Sequence, residues 1–297
     1  MNDQKFNSLI SSSVLIAVLL IIGALFYAGE LKFPNQKTSK IKSSPVFNLE
    51  ESIIPSNGVE LPIKWGNFGK QLVDNGVIDA EKFESIYIQR GGLLEENKKL
   101  LYEENNGNLI IDSENAGYIL NLLWAFGLAN KNPILEQGPM VDKQYGGAGN
   151  FASTGGWTMA KGDAMNHYSK HQFIDLTNEQ QALVELVSKN IYRPCCGNST
   201  YFPDCNHGMA MLGFLELMAV QGVSEQDMYR AALYVNSYWF PDTYLAIARY
   251  FENQDIDWKN INPKDVLGSA YSSASGYQRV LSEIEPLETQ KGGSCGV

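Results

Sequence analysis

Ser113-Glu114-Asn115-Ala116-Gly117-Tyr118-Ile119-Leu120-Asn121-Leu122-Leu123-Trp124-Ala125-Phe126-Gly127-Leu128-Ala129 sets the fold class. Ser113 is placed to cap a helix that runs to about Ala129. The helix is apolar nearly all round, with Tyr118, Leu120, Leu122, Leu123, Trp124 and Phe126 spread over its circumference. Such a helix has no face fit for water, so other helices must enclose it.

Helix signals continue outward from this stretch. Trp65 to Gly76, Asp79 to Tyr87 and Leu93 to Tyr102 read as short helices. Asn105-Asn106-Gly107-Asn108 is a turn signal before the apolar Leu109-Ile110-Ile111, which allows one small hairpin there. Downstream, Thr177 with Gln180 forms a capping box for a helix to about Tyr192. Asn206 caps the next, which ends near Gly222, and Ser224 with Asp227 opens another. Pro241 breaks that one before Asp242 to Phe251. A last helical segment falls near Tyr277 to Ile284. The glycines between 144 and 162 mark a loop between helices. The expected class is all-α, with at most a small β-hairpin.

The N-terminus reads differently. From Phe6 to Gly29 no residue is charged. A helix over Leu9 to Gly29 reaches about 30 Å, the thickness of a hydrocarbon core. Bulky Phe26 disfavours cleavage before Gly29, and no Cys follows as a lipid site, so an uncleaved transmembrane signal-anchor is expected. The organisation is then a short tail over 1–8, the anchor over 9–29, a polar linker over 30–62, a helical domain over 63–285 and a flexible Gly/Cys tail over 286–297. The lysines after the span, taken alone, favour a cytoplasmic domain. A short span before a large domain is the usual export arrangement, and the cysteines suit an oxidising space. The expectation is a single-pass cell-membrane protein with an extracytoplasmic domain.

The chain has 297 residues, 44% of them hydrophobic, so a domain of roughly 240 residues has material for a core. Its net charge is −10; the first 42 residues carry +3 and the rest −13. An acidic domain repels phosphate backbones, which excludes nucleic acid as a partner.

All three histidines, His167, His171 and His207, and three of the four cysteines, Cys195, Cys196 and Cys205, fall between 167 and 207. Imidazole and thiolate are the ligands of zinc and copper. His167 and His171, four apart in an expected helix, would share a face. One of them is expected within about 8 Å of a cysteine sulfur, near enough to become a ligand after small shifts. Tyr168 follows His167, so the glutamate of a zinc-protease helix is missing. Neighbouring cysteines have Cα atoms about 3.8 Å apart, below the usual disulfide range. Cys205 therefore takes one of Cys195 and Cys196, and the other needs Cys295, a metal or the thiol state. Cys205 and His207 flank a helix start, whose dipole favours thiolate. Met209 and Met211 are soft donors nearby, but Met211, Phe214, Leu215 and Met218 form an apolar stripe. The glycine-rich segment lacks a phosphate-loop ending.

Pro194-Cys195-Cys196-Gly197, Asp204-Cys205 and His207-Gly208 precede a helix, Gln221-Gly222-Val223-Ser224 and a second helix. This pattern resembles uncharacterised bacterial lipoproteins with a Pro-Cys-Tyr-Cys-Gly-Cys motif. More distantly it is similar to the Cys-loop and helix bundle of cytochrome c maturation thiol proteins. The resemblance covers about residues 191–250 and carries over Cys195, Cys196, Cys205 and His207; no Cys-x-x-Cys is present. It implies a cysteine loop before paired helices on a membrane-tethered domain. The functional expectation is copper or zinc binding by Cys195, Cys196, Cys205 and His207, completed by His167 or His171. Thiol–disulfide redox chemistry and a disulfide-stapled binding domain are the alternatives. No catalytic constellation emerges.

Overall fold

The computed structural model describes residues 45–88 and 91–284. The expected anchor at 9–29 and the tail at 286–297 lie outside the described residues. Among the described residues, no helix is long and apolar enough to cross a membrane. The described chain is mainly helical, with one two-stranded antiparallel sheet.

Two helices form the centre. Helix α5, Ala116–Ala129, is buried on every side except at Gly117, as its composition requires. Helix α8, Asn206–Val220, is buried from His207 to Ala219. They cross at Gly127 and Gly213. A Cβ on Gly127 would lie 2.2 Å from the Met209 carbonyl, and one on Gly213 would lie 2.8 Å from the Gly127 nitrogen. The helices therefore meet backbone to backbone, which only glycine permits. Gly127→Ala is expected to cost at least about 1–3 kcal/mol through overpacking. A thermal melt followed by far-UV circular dichroism would register the loss; an unchanged midpoint would contradict the close crossing.

The surrounding helices follow their start and stop signals. Helix α7, Asn178–Asn190, has the Thr177–Gln180 capping box and packs on α8. Helix α9, Glu225–Trp239, is capped by Ser224. It stops before Pro241, which opens α10, Pro241–Glu252, at a position where its missing N–H costs nothing. Short helices α11, Pro263–Leu267, and α12, Ser269–Ser272, lead into α13, Ala274–Ser282.

Three expectations need correction. The sheet is not a local hairpin: strand β1, Val59–Gly66, pairs with β2, Asn106–Ile111, across three intervening helices, α2 (Phe68–Asp74), α3 (Ala80–Ile88) and α4 (Glu95–Tyr102). Leu61, Ile63 and Trp65 alternate inward, while Pro62 faces out where its missing N–H is harmless. Trp65 is thus in a strand, not a helix. The compact unit also begins at Pro45 rather than 63, with a first helix, α1, at Pro45–Ile53. Ile53 and Leu61 are fully buried, and Tyr238 Oη donates to the Pro55 carbonyl at 2.6 Å. Finally, 163–171 is not an α-helix. Asp163 caps a single 3-10 turn, Ala164–Asn166, and Ser169 adopts φ 53°. His171 then bridges to Asn130, just past the end of α5.

Candidate metal centre

The cysteine loop from Tyr192 to Cys205 is pinned at several points. The Tyr192 amide donates to the Leu267 carbonyl at 2.8 Å, and the Thr200 amide to the Ile191 carbonyl at 2.8 Å. The Ala274 amide, at the start of α13, donates to the Cys196 carbonyl at 2.9 Å. The Ser153 amide of the glycine-rich loop reaches the Asp204 carbonyl at 3.2 Å. These bonds bring all three loop cysteines to the N-terminus of α8. Cys205, rather than the expected Asn206, is the cap: its Sγ accepts from the Gly208 amide at 3.4 Å.

Arg193 organises the interior of the site. Its side chain is completely buried and ion-paired to Asp204, Nη2 to Oδ1, at 2.9 Å. The same Nη2 donates to Cys196 Sγ at 3.2 Å, and Nε donates to Cys205 Sγ at 3.2 Å. Asn198 Nδ2 fixes the other Asp204 oxygen at 2.7 Å. A Cβ on Gly208 would lie 2.7 Å from Arg193 Cζ, so the glycine of His207-Gly208 lets the guanidinium lie flat against the first turn of α8.

The three sulfurs are electrostatically unequal. Hydrogen bonds from Cys195 and Cys196, together with the Arg193 charge, hold Cys205 well below the usual thiol range despite its burial. Cys195 is pushed up by its bonds to Cys196 and Cys205 and by burial. Contact with Cys195 lowers Cys196, but its bond to Cys205 and burial outweigh that and raise it. Burial would lower Arg193, but Cys205, Cys196, Cys195 and Asp204 more than offset it, and its pKa is raised. The hydrogen bonding and the Arg193 charge thus favour ionisation of Cys205 over that of Cys195 and Cys196.

Among the described residues, two donor groups could each hold a metal ion: Cys195, Cys205 and His207, and Cys196, Asp204 and Cys205, each with ligand atoms within 4.8 Å of one another. Cys195 Sγ lies 3.6 Å from Cys205 Sγ. The His207 ring is walled by Phe240, at a centroid distance of 4.4 Å, and by Trp239, at 5.6 Å. Its Nδ1 is buried with no hydrogen-bond partner. Leaving a buried nitrogen in that state costs about 1–3 kcal/mol.

His167 and His171 belong to neither group. They pair with each other, Nδ1 to Nε2, at 3.0 Å, with nearly parallel rings. His167 Nε2 also meets the Lys161 carbonyl at 3.3 Å, and His171 stacks on Phe173. Burial and the neighbouring His167 lower the pKa of His171. The pair arises from a turn and a bridge rather than from helical spacing. Met209 and Met211 are fully buried in the core. Arg193 and Asp204, which complete the site, carried no sequence signal beyond lying in the same loop. Comparison of the chain with family models, with curated proteins and with solved structures finds no match.

Proposed function

We propose that this protein binds a divalent metal ion of the zinc type through Cys195, Cys205 and His207, on a domain tethered by residues 9–29 and facing away from the cytoplasm. The observation that carries the reading is the convergence of two sulfurs and a buried imidazole whose Nδ1 has no partner. Two sulfurs on one tetrahedral zinc, each at about 2.3 Å, stand about 3.8 Å apart. The 3.6 Å between Cys195 and Cys205 is close to that separation.

The donor set matches a divalent ion in charge. A divalent ion, two thiolates and a neutral imidazole are neutral together, and Arg193 with Asp204 is neutral beside them. Arg193 also has a supporting role, since its Nε–H donates to a ligand sulfur and fixes its orientation.

The same Cys195–Cys205 contact supports thiol–disulfide exchange as a second reading. It ranks lower because a Cys195–Cys205 disulfide would leave the buried His207 Nδ1 without a partner, which a bound ion would supply.

The full chain, purified without a histidine tag in a phosphine reductant, is expected to hold one zinc per chain by elemental analysis. Cys205→Ser and Cys195→Ser should each weaken binding by more than the roughly 10–100-fold typical of losing a supporting contact. His207→Ala should also weaken it. Absence of metal, with a Cys195–Cys205 pair that cycles at cellular potential, would replace this reading by the redox one. A permanent disulfide without metal would leave a stapled binding domain.

A further inference from the structure

The geometry points to a metal ion with one coordination position open to solvent, where it takes a soft exogenous donor, a small thiol or the thiolate of another protein. This rests on the metal-binding reading above and specifies what the site does with its ion. A closed structural zinc site has four protein ligands, whereas a site with three keeps a position for an incoming group.

Cys196 is the natural fourth ligand by sequence, and it is already engaged. One nitrogen of Arg193, Nη2, spans Cys196 Sγ at 3.2 Å and Asp204 Oδ1 at 2.9 Å. Nε of the same guanidinium reaches Cys205 Sγ at 3.2 Å. The donor group Cys196, Asp204 and Cys205 thus has a cation in place, and that cation is Arg193. The guanidinium has no room to leave: it is fully buried, lies against the Gly208 backbone and is paired to a carboxylate that Asn198 also holds. A metal ion is therefore left with the other group, Cys195, Cys205 and His207.

The two ends of that group differ. His207 lies at the inner end, covered by Trp239 and Phe240. Cys195 lies at the outer end and is exposed. Access to a bound ion would be from the exposed Cys195 side, where a partner's sulfur can approach. An incoming thiol loses its proton to water on binding and adds a third sulfur to the ion. No electrons change hands; were the ion to depart with the newcomer, its bonds to Cys195, Cys205 and His207 would break, and the freed Cys195 thiolate would take a proton back from water. Such a site suits passing an ion between soft-donor carriers.

Cobalt(II) tests this through its sulfur-to-metal absorption. The full chain in phosphine reductant is loaded with one equivalent of cobalt(II) and then titrated with 2-mercaptoethanol. The charge-transfer band is expected to rise about 1.5-fold, in proportion to three sulfurs in place of two, and to saturate. Cys196→Ser and Cys295→Ser should give the same starting spectrum and the same rise. A cobalt spectrum that added thiol does not change would overturn the open position while leaving metal binding intact. Loss of the thiol response only on restoring Cys295 would show that the chain closes its own site, which also overturns it. No cobalt absorption at any stage would overturn the metal-binding reading and this inference together.

Discussion

Arg193→Met is expected to destabilise the domain by about 3 kcal/mol, the low end of the usual cost of breaking a buried ion pair, because Asp204 keeps some contact with solvent. The side chain is fully buried and serves Asp204, Cys205, Cys196 and the Phe202 carbonyl at once. Methionine fills most of the volume but leaves Asp204 and the Cys205 thiolate without their cation. Arg193→Lys should recover only part of the loss, because one ammonium cannot reproduce a planar fork across four partners. Denaturant unfolding of the reduced, metal-free chain, followed by tryptophan fluorescence, measures the change. A loss below about 1 kcal/mol would mean that the guanidinium is not the anchor of the loop.

Glu216→Gln should change the pH dependence of stability as strongly. Glu216 is completely buried in the middle of α8, where Asn130 Nδ2 donates to its Oε2 at 2.8 Å and its Oε1 has no partner. Burial pushes its pKa up to about 8 from 4.5, against the lowering effect of Asn130 and Asn132. The folded state thus holds a proton that the unfolded state releases above pH 4.5. The stabilisation is complete below pH 4.5, declines as pH rises, and is gone once pH passes about 8. A shift of this size corresponds to roughly 5 kcal/mol across the window. Glutamine keeps the acceptor for Asn130 and cannot ionise, so the variant should lose this slope and exceed the wild type in stability at pH 8. Parallel stability curves for the two proteins between pH 5 and 8 would contradict the assignment.

The helical core was legible because its signals are local. An all-round apolar stretch at Ala116–Ala129, a capping box at Thr177 and a proline at 241 each act within a turn or two of helix. Strand β1 was not, because its partner lies some 40 residues downstream and Pro62 reads as linker. Leu61, Ile63 and Trp65 do alternate, but the polar, proline-rich segment before them hid the period. At the site, the clustering of Cys195, Cys196, Cys205 and His207 was legible in the sequence, and the four fall in two donor groups that share Cys205. It could not rank them. That Cys196 faces Arg193 while Cys195 faces His207 depends on how the loop is pinned to α11, α13 and the glycine-rich segment. His167 and His171 illustrate the opposite error. Their spacing suggested one helical face, and they do meet, but through Ser169 at positive φ and the bridge to Asn130, and neither joins a donor group with the sulfurs.

The most direct measurement of the central claim is zinc K-edge X-ray absorption fine structure on the zinc-loaded full chain in thiol-free buffer. The account predicts two sulfurs at about 2.3 Å, one imidazole nitrogen at about 2.0–2.1 Å and one further light atom from solvent. Three or four sulfurs around the zinc would contradict it, because Cys196 or Cys295 would then be a ligand and Arg193 would not be guarding the second donor group.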